Sequence, residues 1–122
     1  MCVLALISFV NVQAQYVFTN ATLSTAVDEW VADPVTAEGT YGHISSWDVS
    51  QVTSMPELFE NQSEFNDDIS AWDVSNVMDM SEMFKGADAF NQDIGSWDVG
   101  AVTNMRGMFW SAGAFNQDLD DW

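Results

Sequence analysis

Positive charge is almost absent from this 122-residue chain. One lysine, Lys85, and one arginine, Arg106, stand against 19 aspartates and glutamates, giving a formal net charge of −17. A surface so one-sided repels phosphate wherever it approaches, which excludes nucleic acid and anionic membranes as partners. Cysteine is reduced to Cys2 and histidine to His43, so side chains for catalysis are scarce. No stretch reaches the ~20 apolar residues of a membrane-spanning helix. Disorder is excluded from the other side, because 48% of the residues are hydrophobic and 13% aromatic, far above an acidic solvating tail.

Residues 3–10 (VLALISFV) form an apolar run of signal-peptide length, and Val12-Gln13-Ala14 supplies small residues for cleavage after Ala14. Residues 1–14 are therefore expected to be a signal peptide, truncated at its start because no basic residue precedes the run. The alternative is a first buried strand. Removal of the signal takes Cys2 with it, leaving neither a disulfide nor thiol chemistry. Secretion would expose the sequons at Asn20 and Asn61 to glycosylation in a eukaryotic host.

The strongest feature is a period of 25 residues without slippage. Trp47, Trp72, Trp97 and Trp122 fall on it, as do Ile44, Ile69 and Ile94, then Asp48, Asp73 and Asp98. Met55, Met80 and Met105 repeat in step, as do Phe59, Phe84 and Phe109. Phe65, Phe90 and Phe115 follow, each beside an asparagine (Asn66, Asn91, Asn116) and, two residues on, Asp68, Asp93 or Asp118. Units run 44–68, 69–93 and 94–118, with a partial unit at 119–122. A unit this short cannot bury its own apolar face and must stack on copies of itself.

Within a unit, Ser54, Asp79 and Asn104 are residues that cap helices, and Met55, Leu58 and Phe59 (repeated as Met80, Met83, Phe84 and Met105, Met108, Phe109) follow helical spacing. The spacing predicts two-turn helices near 55–60, 80–85 and 105–110. The Trp-Asp-Val half reads as a short strand. Together these give an α/β solenoid of leucine-rich-repeat type, with one strand and one helix per coil. Residues 15–43 read as an N-terminal capping segment, with a helix over about 22–32 whose apolar face is Leu23, Val27, Trp30 and Val31 and which ends at Pro34. The C-terminal edge is expected to be open to further repeats or to another chain.

The strings WDVSQVTSM, WDVSNVMDM and WDVGAVTNM, with MFKGADAFNQDI and MFWSAGAFNQDL, resemble the repeats of BspA-like leucine-rich-repeat surface proteins, repeats shared with a family of unknown function first grouped from mycoplasma lipoproteins. The resemblance runs from about Leu23 to the end. It implies a secreted or surface-displayed module for adhesion or protein–protein contact, and carries over no catalytic residue. Met78, Gly100 and Pro56 depart from the usual repeat.

Three function classes follow. As an interaction module, the Trp column (Trp47, Trp72, Trp97) is expected in the core, the alternative being an exposed aromatic ladder for glycans or peptides. Trp110, whose register mates are Glu60 and Lys85, should face solvent and is the candidate partner contact. As a calcium-stabilised repeat, the protein would bridge Asp48, Asp73 and Asp98, or Asp68, Asp93 and Asp118, with Ca²⁺; the competing reading is an Asx turn at each aspartate. Asn66, Asn91 and Asn116 read as a structural ladder. As an enzyme, the chain offers only the adjacent Asp67 and Asp68 and an isolated His43, which assemble no nucleophile, base and oxyanion donor; no catalysis is expected.

Overall fold

The computed structural model describes residues 15–122; the expected signal peptide and Cys2 lie outside this range. Helix α1 spans Asn20–Ala32 and helix α2 spans Pro34–Tyr41, with a 3-10 turn at Ile44–Ser46. Thr19 caps α1. Its side chain accepts from the Thr22 N–H, and the Thr22 hydroxyl accepts in return from the Thr19 N–H, so the helix begins at Asn20, two residues before the expected start near 22. Leu23, Ala26, Val27 and Trp30 face the core, while Val31 lies on the exposed side. Pro34 opens a second helix as well as ending the first. At the first helical position its missing N–H costs nothing, and Asp33 caps that end through Thr36. The Tyr41 hydroxyl donates to Glu29 Oε2 at 2.7 Å, tying α2 to α1, and this bond pushes the phenol up to about 12.

The expected α/β, leucine-rich-repeat-like solenoid is not what the repeats form. Among the described residues there is no strand, and the two helices both precede the repeats. Strand-type pairing among the described residues is limited to isolated parallel bridges, Val17 with Asp48, Ser54 with Asp79, and Asp79 with Asn104. The helices expected near 55–60, 80–85 and 105–110 are absent for a backbone reason. Glu57, Glu82 and Gly107 lie at φ +57°, +54° and +64°, and Asn61, Gly86 and Ser111 at +61°, +69° and +61°. A left-handed residue at every fourth position cannot continue a right-handed helix. The Trp-Asp-Val half is likewise a run of turns: Val52 donates to the Val49 carbonyl, and Trp72 to that of Ile69.

Backbone polarity runs between units instead. The N–H groups of Met55, Glu57, Phe59 and Asn61 donate to the carbonyls of Asp79, Ser81, Met83 and Lys85. Those of Met80, Glu82, Phe84 and Gly86 repeat the pattern onto Asn104, Arg106, Met108 and Trp110, at 2.7–2.8 Å throughout. Alternate N–H groups thus point to the next unit, and side chains at matching positions of successive units pack in columns. Phe59, Phe84 and Phe109 stack at 5.5 and 5.6 Å with rings within 8° of parallel. Phe65, Phe90 and Phe115 stack at 5.8 and 5.9 Å. The stack of repeats therefore gains its apolar burial across unit boundaries, as the shortness of the unit requires.

The cap joins the first unit by imitating a preceding one. Phe18 donates its N–H to the Asp48 carbonyl and lays its ring against Trp47 at 4.7 Å. The Asn20 carboxamide accepts from the Thr53 N–H and donates to Thr53 Oγ1.

Candidate contact surface

The tryptophans of the period are core. Trp47, Trp72 and Trp97 are each under 5% exposed, and Trp47 stacks on Trp72 at 6.3 Å, Trp97 on Trp122 at 6.5 Å. A buried indole needs an acceptor for its N–H. Trp72, Trp97 and Trp122 donate to the carbonyls of Ile44, Ile69 and Ile94, each 28 residues earlier, so every ring stitches its unit to the preceding one. Trp47, which has no preceding repeat, donates to Gly42 in the cap. A glycan-gripping aromatic ladder is not available from this column.

The asparagines form a ladder along one edge. Asn91 and Asn116 donate their N–H groups to Oδ1 of Asn66 and Asn91, at 2.8 and 2.9 Å. Gln92 and Gln117, which the sequence reading passed over, double the connection through Nε2 to the Asn66 and Asn91 carbonyls. Their register mate is Asp67. In that first unit Asp67 Oδ2 instead accepts from Trp30 Nε1 at 2.8 Å, so one column serves the ladder in two units and the cap in the other.

Each aspartate of the two acidic columns closes its own turn. Oδ1 of Asp48, Asp73 and Asp98 accepts from the N–H of Ser50, Ser75 and Gly100. Asp68, Asp93 and Asp118 accept likewise from Ser70, Gly95 and Asp120. Hydroxyl and N–H bonds from Ser70 and Ser75 hold the Asp68 and Asp73 carboxyls below the usual carboxylate range. The carboxylates that gather are different ones. Glu57, Glu60 and Glu82 bring oxygens within 4.8 Å of one another, and Lys85 Nζ already sits there, 3.2 Å from Glu60 Oε1 and 2.7 Å from Glu82 Oε2.

Trp110 is 64% exposed. It continues the surface column of Glu60 and Lys85, and the Lys85 ammonium lies 5.3 Å from the centre of its ring. One side of the indole lines a shallow apolar hollow with Met105, Phe109, Leu119 and Trp122. Of the two sequons, Asn20 has both carboxamide atoms engaged with Thr53 at the cap junction. Asn61 is exposed, in a left-handed turn. His43 caps the 3-10 turn through Ser45 and packs edge-on to Trp30 at 5.0 Å.

The family model described as a Mycoplasma protein of unknown function, DUF285, matches residues 12–122. No curated protein and no solved structure matches the chain.

Proposed function

The chain belongs to DUF285, a family of Mycoplasma proteins of unknown function, and on that footing we propose that it is a non-catalytic module, secreted or displayed at a cell surface, that binds other proteins or a cell-surface ligand through a lateral strip centred on Trp110. Kinship with the BspA-like surface proteins is part of the same proposal. One observation carries the reading: the repeat buries its tryptophans, yet at the column of Glu60 and Lys85 an extra tryptophan replaces a charged residue and lies 64% exposed. Exposed tryptophan is costly in solubility and enriched where surfaces meet. A column in which unlike residues succeed one another also gives each unit its own surface, while the buried columns stay constant.

The test is attachment of the labelled protein to intact cells. Trp110→Ser should reduce attachment about tenfold or more, as loss of an interface anchor does, with the melting temperature unchanged because the ring supports no core. Attachment indifferent to this substitution overturns the reading. Display is tested on cells producing the whole protein, by whether an antibody against the repeats reaches it without permeabilisation.

A further inference from the structure

Two carboxylates and an aromatic ring converge on a single ammonium at the surface of the repeats. Lys85 Nζ is bonded to Glu82 Oε2 and Glu60 Oε1 and lies 5.3 Å from the Trp110 ring centre, within the range of cation–π attraction. Glu60, Lys85 and Trp110 belong to three successive units at one register position, so the seat is assembled only by the stack. Gly107 keeps it tight. At φ +64° it has no side chain, and a Cβ there would lie 3.2 Å from Glu82 Cγ and 3.8 Å from Trp110 Cε3.

We propose that this seat takes a lysine or arginine side chain from a basic segment of a partner protein, and that Lys85 holds it from within until displaced. The proposal rests on the reading of the chain as a binding module and names the partner's chemistry. Lys85 shows that the geometry accepts an ammonium, and the Glu82 and Glu60 bonds favour its charged form. Charge decides the class of guest. With 19 acidic residues against 2 basic ones, the field draws cationic segments toward the strip and repels phosphate-bearing ones. Glu57 adds a third carboxylate within 4.8 Å of the other two, leaving three anions against one ammonium. A bare metal ion would use the carboxylates but leave the exposed indole without a role. A guanidinium or ammonium on a peptide uses both.

The experiment titrates the whole protein with the peptides (Lys-Gly)5 and (Arg-Gly)5, with (Glu-Gly)5 as control, by calorimetry at low salt. Trp110→Ala should weaken the basic peptides by about tenfold, and Trp110→Phe by less, as the better cation–π ring is lost in steps. Lys85→Gln should tighten them, by roughly threefold or more, because the internal occupant is gone. Melting curves establish that each variant is folded. Affinity unmoved by Trp110→Ala would assign the peptides to the acidic surface at large and overturn the proposal, as would weaker binding by Lys85→Gln. Should cell attachment need Trp110 while peptide affinity ignores Lys85, the ligand class falls and the contact surface stands. Attachment that ignores Trp110 removes the reading beneath both.

Discussion

Trp72 is the residue on which the packing account can be tested most severely. Its ring is 3% exposed, stacked on Trp47 at 6.3 Å and tilted against Phe59 at 6.0 Å. Its Nε1 donates to the Ile44 carbonyl at 2.8 Å. Removing the ring in Trp72→Ala costs about 3–5 kcal/mol in lost transfer energy and cavity. The Ile44 carbonyl keeps a weaker bond from the Trp47 N–H at 3.3 Å, so the orphaned acceptor adds only about 1 kcal/mol. A total of roughly 4–6 kcal/mol is a large fraction of the about 5–15 kcal/mol that holds a typical domain folded. Trp72→Phe retains most of the apolar area and loses the indole donor, for about 1–2 kcal/mol, and it should stay folded. Urea denaturation followed by far-ultraviolet circular dichroism reads both. The midpoint should fall by roughly 2 M or more for alanine, and by under about 1 M for phenylalanine. If alanine costs less than about 1 kcal/mol, the column is not the core and the stacking account fails.

Other expectations follow from the same contacts. Because each aspartate of the two columns is engaged in its own turn, Ca²⁺ after EDTA should raise the melting temperature no more than Mg²⁺ at matched ionic strength; a calcium-specific rise would make the columns a metal site. Asp73→Ala should lower the melting temperature at neutral pH. Its carboxyl is depressed from 3.8 by the Ser75 bonds, so it stabilises the fold above that value, and the difference between variant and parent should shrink as pH falls through the lower folded value. Gly86→Ala should destabilise by about 1–3 kcal/mol, since φ is +69° and a Cβ would meet Asn61 Oδ1 at 2.5 Å. Gly113→Ala, with nothing within 4 Å of its Cβ, should be neutral or stabilising by about 0.4–1 kcal/mol; equal losses at the two glycines would contradict the backbone assignment.

The 25-residue register is legible because packing contacts recur on it: rings 25 apart touch, and so do Asn66, Asn91 and Asn116. The conformation within a unit is not. Met55, Leu58 and Phe59 show helical spacing and all are buried, but a chain of left-handed turns presents the same three side chains inward. Nothing in Glu57 or Glu82 announces φ near +55°. A weak signal did exist in their columns, where Gly107 shares the first position and Asn61 and Gly86 share the second. These are the residues that tolerate left-handed backbone. Ser54, Asp79 and Asn104 drew a helix-cap reading because caps and Asx turns use the same side-chain oxygen. Asp79 and Asn104 accept from Ser81 and Arg106, two residues ahead, which is turn geometry. At the candidate site, the sequence places Trp110 among charged register mates. The Lys85–Glu82 pairing depends on the turn and could not be read from spacing alone.

Amide hydrogen exchange, read residue by residue, tests the central structural claim most directly. The N–H groups of Met55, Glu57, Phe59 and Asn61, and of Met80, Glu82, Phe84 and Gly86, donate across unit boundaries and should be protected together, opening only as neighbouring units separate. Pro56 carries no N–H and Leu58 makes no such bond among the described residues, so Leu58 should exchange faster than both its neighbours. A continuous block of protection through 57–61, as an α-helix gives, or none at all in the repeats, would contradict the account.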